Sequence, residues 1–276
     1  MALIVGIGYF FSTYYNNPGI LTIAIIFSVV MNITGYWYSD KIALSMAKAV
    51  PAPEAQYPEL HNILENLSIT AGLPKPKLYI IPDAAPNAFA TGRNAKHASV
   101  AVTNGLLQVL DRSELEGVIA HELSHIGNRD ILLQSMVAIL VGFVSILADM
   151  FTRSMLFGGG NRDSDNRGSN VLAIVGIVFV ILSPIIATLI QLAISRRREF
   201  LADASGALLT RYPDGLARAL QKISSYGAPM KTASNATAHM YISNPFGQKA
   251  MSGLKHLFMT HPPTSARIKA LTDMAI

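Results

Sequence analysis

The sequence predicts a mainly α-helical integral membrane protein with a small β-sheet in its water-facing part. Three observations predict it. Charged residues make up 14% of the 276-residue chain and hydrophobic residues 51%, whereas a soluble domain carries about a quarter charged residues. Four apolar stretches account for the missing charge. Around them, amphipathic helical patterns alternate with two short β-type runs.

The first apolar stretch, Ala2–Tyr15, ends at the turn Asn16-Asn17-Pro18-Gly19. It is short for a span, and reads as a truncated, tilted or partly inserted helix, or as a buried or interfacial one. Ile20–Tyr38 follows and ends in the interface-type cluster Tyr36, Trp37 and Tyr38. The third and fourth stretches are Ile131–Phe151 and Val171–Ile194. Each of these three meets the roughly 20 residues that a helix needs to cross the hydrocarbon core. Residues 153–170 are Gly-rich and polar and read as a solvent loop. Asp149 reads as an end-of-helix charge.

Basic residues set the orientation. Lys41 and Lys48 follow the second stretch, Arg129 precedes the third, and Arg196, Arg197 and Arg198 follow the fourth. The Asn16–Gly19 turn carries no charge, and the 153–170 loop is the smaller basic cluster. Loops rich in Lys and Arg stay in the cytoplasm. The expected organisation is a transmembrane hairpin over residues 1–38, with its first span short. A water-facing domain follows over 39–130, a second hairpin over 131–194, and the rest of that domain over 195–276, with both water-facing parts cytoplasmic.

Within these parts, Pro58–Ala71 places Leu60, Ile63, Leu64 and Leu67 on one helical face and is closed by Gly72. Lys77–Ile81 and Ala98–Thr103 are the β-type runs. Ser113 and Glu116 have the spacing of a capping box and mark the start of a further helix. No cysteine is present, which excludes disulfides, thiol nucleophiles and Cys-ligated metal. The net charge of +5 comes without a dense Lys/Arg run among aromatics, so nucleic acid is not an expected partner. No signal-peptide cleavage pattern is evident.

The helix that starts near Ser113 carries His121-Glu122-Leu123-Ser124-His125, an H-E-x-x-H motif. Residues four apart share a helix face, so both imidazoles can reach one ion. Glu122 projects beside the ion, where it can act as general base toward a water that zinc has made acidic. A surface helix with two ordinary histidines has the same spacing, and a third ligand separates the two readings. The best candidate is Glu199 in Arg198-Glu199-Phe200-Leu201-Ala202-Asp203. Asp203 lies four residues on, on the same face, and can accept an N–H from a ligand histidine, His121 first. Taken without the motif, Glu199 reads as an ion-pair partner of Arg196 or Arg198.

These pieces resemble the HtpX-type membrane metalloproteases, relatives of the CaaX prenyl proteases. The matching segments are Asn87-Ala88-Phe89-Ala90-Thr91-Gly92-Arg93, Val102-Thr103-Asn104-Gly105-Leu106-Leu107, and the H-E-x-x-H with Asn128 and Asp130. Glu199-Phe200-Leu201-Ala202-Asp203 and Thr260-His261-Pro262-Pro263-Thr264 with Arg267-Ile268 complete the set. The resemblance implies a zincin-like (gluzincin) catalytic domain facing the cytoplasm. It implies one Zn2+ held by His121, His125 and Glu199, catalysis by Glu122, and four membrane segments. The implied partners are the lipid bilayer and polypeptide substrates, with a role in clearing damaged or misfolded membrane proteins. The short first stretch departs from that pattern.

The resemblance implies that the Asn87-Ala88-Phe89 region lies along the substrate cleft, which makes Asn87 and Ala88 candidate substrate contacts; backbone on an edge strand there can pair with an extended peptide. Phe89 reads equally as a buried side chain beside a turn. His261 is a candidate oxyanion donor, or a packing residue before Pro262. Asp130 and Arg267 read as members of buried or interfacial charge pairs, and His61, His97, His239 and His256 as surface residues. His125 lies six residues before Ile131, and Glu199 five after Ile194. Six helical residues rise only about 9 Å, so both ligand-bearing helices are expected to continue the membrane pair. Two other functions fit the sequence less well: a site-specific processing protease of the prenyl-protein type, and a catalytically silent zinc-binding scaffold.

Overall fold

The computed structural model describes residues 1–142, 196–247 and 262–274. The fourth apolar stretch, the 153–170 loop, Asp149, His256 and His261 lie outside them, as does the third stretch beyond Gly142.

Helices α1 (Ala2–Tyr14) and α2 (Pro18–Trp37) pack as a hairpin. Asn17 stops one and starts the other: its side chain accepts from Gly19 N–H at 3.0 Å, and Pro18 occupies the first turn. At Gly8 an added methyl would collide with Ala24 Cβ, so the crossing depends on a residue without a side chain. Helix α2, with 20 residues, is the one helix among the described residues long and apolar enough to cross a membrane. Ile23, Ile26, Val30 and Ile33 along it are more than half exposed. The 13 residues of α1 reach only about 20 Å, short of a hydrocarbon core of about 30 Å.

Helix α3 (Ser39–Met46) leads into strand β1 (Val50–Pro51), helix α4 (Pro58–Thr70) and strand β2 (Lys77–Ile81). Strands β3 (Ala88–Gly92) and β4 (Ala98–Thr103) complete a four-stranded sheet of order β1-β2-β4-β3. β2 and β4 run parallel with Leu78 opposite Val100, while β3 is antiparallel to β4 with Ala90 opposite Val100. The two β-type runs of the sequence fall on β2 and β4, and β3 is an edge strand. Alternate residues face opposite sides of a strand. Leu78, Ile80, Ala90, Val100 and Val102 therefore enter the core beneath α4 and the motif helix. Ile81, Phe89 and Ala101 face the other way, onto α3 and onto Met230, Met240 and Tyr241. Phe89 meets Tyr241 edge to face at 5.2 Å, so it is a strand residue buried on that second face.

Helix α5 (Asn104–Val109) connects β4 to the motif helix α6 (Arg112–Gly127). The capping box at α6 is made by Asp111 and Glu114, two residues before the expected pair. Asp111 Oδ1 accepts from Glu114 N–H at 2.9 Å and Glu114 Oε2 accepts from Asp111 N–H at 2.9 Å. Ser113 lies inside the helix and donates to Asp111, and Glu116 pairs with Arg112. Asp111 wins because a carboxylate at the cap satisfies orphan N–H groups and also suits the positive helix end. Asp111→Ala should therefore lower stability by about 1 kcal/mol, seen as a lower melting temperature, while Ser113→Ala should change it much less.

Helix α6 does not run on into the third apolar stretch as expected. Arg129 has φ 62, a left-handed conformation that redirects the chain. A new helix, α7, then runs from Asp130 and is described as far as Gly142. Helices α8 (Arg196–Thr210) and α9 (Pro213–Ser225) pack on α6, and α10 (Thr264–Thr272) packs on α8 and α9. The close approach of α8 needs Gly206, where an added Cβ would stand 3.0 Å from His121 N.

Candidate active site

Helix α6 projects His121 and His125 from one face into a dry interior, where both are buried. Their Nε2 atoms lie 3.2 Å apart and the rings are nearly perpendicular. Helix α8 brings Glu199 opposite, its Oε2 at 3.9 Å from His121 Nε2 and its Oε1 at 3.5 Å from His125 Nε2. One ligand atom from each residue falls within 4.8 Å of the others.

Outer carboxylates orient both rings. His121 Nδ1 lies 2.9 Å from Asp203 Oδ1, and His125 Nδ1 lies 3.0 Å from Asp130 Oδ2. An ionised carboxylate only accepts, so each Nδ1 carries its proton and each Nε2 presents a lone pair. Two lone pairs 3.2 Å apart repel unless a proton or a metal cation stands between them. Ligands on a tetrahedral zinc, at about 2.0–2.1 Å each, stand roughly 3.4 Å from one another. The two Nε2 atoms, 3.2 Å apart, are close to that spacing, and the Glu199 carboxylate stands slightly wider, with one oxygen 3.5 Å from His125 and the other 3.9 Å from His121. Three nitrogen and oxygen ligands also leave the open fourth position that a catalytic site needs.

Glu122 is buried beside this cluster, and neither of its oxygens makes a well-formed hydrogen bond. Burial pushes its carboxyl up to about 7; His125 opposes the rise and Glu199 adds to it. The backbone at Ala90 lowers it only slightly. A general base works best with a pKa near the operating pH. Burial lowers the His121 imidazole, assisted by Arg267 and opposed by Asp203. Burial would also lower His125, but the Asp130 hydrogen bond and the Glu199 and Glu122 charges outweigh it, and the ring is raised.

Arg267, on α10, is the residue whose part could not be read from sequence. It is 2% exposed. Its Nε and Nη2 donate to both oxygens of Asp203 at 2.8 and 2.6 Å, and its Nη1 donates to Ile242 C=O at 3.0 Å. Nη1 also stands 3.5 Å from Glu199 Oε2. Burial would raise the Asp203 carboxyl, but the Arg267 charge and hydrogen bonds outweigh it and hold it at about 2. Asp130 and Arg267 are thus both buried ionic residues, with different partners. Asp130 takes His125 and Arg198, and Arg267 takes Asp203 and Glu199. No local spacing signals these partners.

Asn87 and Ala88 are buried, with their outward groups engaged by a later segment of the chain. Asn87 Nδ2 donates to Ser243 C=O at 2.9 Å, and Ala88 C=O accepts from Ile242 N–H at 3.0 Å. On the β3 edge, the Ala90 backbone lies within reach of the Glu122 carboxyl. His239 is buried, its Nε2 at 2.9 Å from Gln134 C=O, which corrects its reading as a surface residue. His61 is half-buried against Ala52 C=O, and His97 is exposed.

Residues 54–275 match the family described as "Peptidase family M48". A "Protease HtpX homolog" of Thermoanaerobacter pseudethanolicus is 50% identical over 279 residues, covering 99% of this chain and 91% of that protein. Another of that name, from Pyrococcus furiosus, is 48% identical over 276 residues, covering 99% of this chain and 92% of that one. Among solved structures, Ste24p of S. mikatae superposes with a TM-score of 0.56 at 19% identity, over 98% of this chain and 62% of that one. That likeness is one of fold. The chain belongs to peptidase family M48 and is one of its HtpX-type metalloproteases.

Proposed function

We propose that the chain is a membrane-bound zinc endopeptidase that cuts misfolded or damaged membrane proteins, working as proteolytic quality control at the cytoplasmic face. One observation carries the chemistry: two imidazole lone pairs and the Glu199 carboxylate converge beside a buried carboxylate that lacks a well-formed hydrogen bond. His121, His125 and Glu199 would hold the ion. When bound, zinc supplies Lewis acidity that polarises the scissile carbonyl and makes a neighbouring water more acidic.

This chain's own residues do the rest. Glu122 takes a proton from the attacking water as it adds to the carbonyl carbon. It then delivers that proton to the leaving amine as the C–N bond breaks. Asp203 and Asp130 hold the two rings in the tautomer that turns Nε2 inward. The β3 edge at Ala90 offers backbone groups to an extended peptide, a pairing that accepts many sequences.

The membrane placement is supported by α2 and by the start of α7. Asp130, the first residue of that apolar helix, is bonded to His125, which supports a metal site near the bilayer boundary. The basic flanks support the cytoplasmic orientation. The division into two hairpins and a split catalytic domain belongs to the same reading. The test is degradation of an unfolded casein by the full chain, purified in detergent. Cleavage should stop with a chelator and return with zinc. Cleavage that survives exhaustive metal removal would sink the assignment.

A further inference from the structure

A cavity of about 550 Å³ opens beside the end of α2. Arg93, Lys96 and Arg129 line it together with the apolar residues Leu73, Ile126 and Leu132, and no Asp or Glu among the described residues contributes. Lys96 and Arg129 are exposed and make no ion pair among the described residues. The Asp130 carboxylate next in sequence is committed to His125 and Arg198. Three cations around one opening repel each other, and an anion relieves that repulsion.

Two contacts fix the cavity's level relative to α2. The Arg93 guanidinium lies over the Trp37 ring at 4.4 Å and donates to Trp37 C=O at 3.1 Å. Trp37 is the last residue of α2. Further along, an added Cβ on Gly35 would stand 3.6 Å from Ile139 and 3.7 Å from Met136, so α2 packs on α7. α7 begins next to Arg129. One apolar helix therefore ends, and another begins, at this cavity.

We propose that the cavity binds the phosphate of an anionic phospholipid at the membrane boundary. The Arg93 and Arg129 guanidiniums suit phosphate oxygens by their fork geometry, and Lys96 adds a point charge. The apolar lining of Leu73, Ile126 and Leu132 matches the upper part of an acyl chain and has no use for a free inorganic ion. Basic pockets beside membrane helices on the cytoplasmic side are suited to anionic headgroups. The proposal rests on the reading of α2 as a membrane span.

The test titrates full-length protein in neutral detergent with dioctanoyl phosphatidylglycerol, with dioctanoyl phosphatidylcholine, and with inorganic phosphate, using native mass spectrometry and thermal shift. The expected result is at least about a tenfold preference for phosphatidylglycerol, lost in Lys96→Gln/Arg129→Asn. Asn is chosen at 129 because it tolerates the left-handed backbone. Lys231→Gln/Lys269→Gln removes the same charge elsewhere and should keep the preference. Equal preference in the Lys96/Arg129 variant, or none in the wild type, overturns the site. Displacement of the lipid by inorganic phosphate, with equal stabilisation, overturns the lipid assignment. Casein cleavage is read on the same preparations. Lipid preference without cleavage sinks the protease reading alone, and cleavage without preference sinks this one alone.

Discussion

Glu122→Gln is expected to keep one zinc per chain and to lose casein cleavage by roughly a thousandfold. The substitution preserves shape. It removes only the ability to take a proton, which is the part assigned to Glu122. The metal should stay, because the converging ligand atoms belong to His121, His125 and Glu199. Stability of the metal-free protein should not fall, since burial already disfavours a charge at position 122. Turnover measured beside metal content decides the matter. A variant that loses its zinc would make Glu122 part of the ligand set, and one that cuts normally would remove it from the mechanism.

Arg267→Ala is expected to destabilise the metal-free protein by about 3–5 kcal/mol. Arg267 is the cation beside Asp203 and Glu199, in an interior where both carboxylates are buried. Removing it leaves two buried anions without that partner, a far larger penalty than losing an exposed ion pair. The loss should be smaller with zinc bound, because the ion compensates Glu199. Arg267→Lys should recover only part of it, since an ammonium cannot repeat the two-pronged bond to Asp203. In a double-mutant cycle, Asp203→Asn should lessen the cost of Arg267→Ala. Thermal unfolding of metal-free and zinc-loaded samples measures all four. Equal stability of wild type and Arg267→Ala without metal would show the cluster to be solvated.

The sequence by itself determined whatever depends on neighbours along the chain. The i, i+4 spacing puts His121 and His125 on one face, and also Glu199 and Asp203, wherever those helices pack. Short β-type runs between turn signals marked β2 and β4, and the length of α2 marked a helix able to cross a membrane. Tertiary structure decided what depends on residues far apart. Arg267 meets Asp203 across 64 positions, His239 is buried on Gln134 across 105, and Asn87 holds Ser243 across 156. No periodicity encodes such pairs, because a buried charge finds its partner only once helices and strands have packed. Even the nearby details followed this rule. Asp111 displaced Ser113 as the helix cap through competition for the same orphan N–H groups. The left-handed Arg129 broke a helix that spacing alone would have continued, and so returned Asp130 to the histidine it orients.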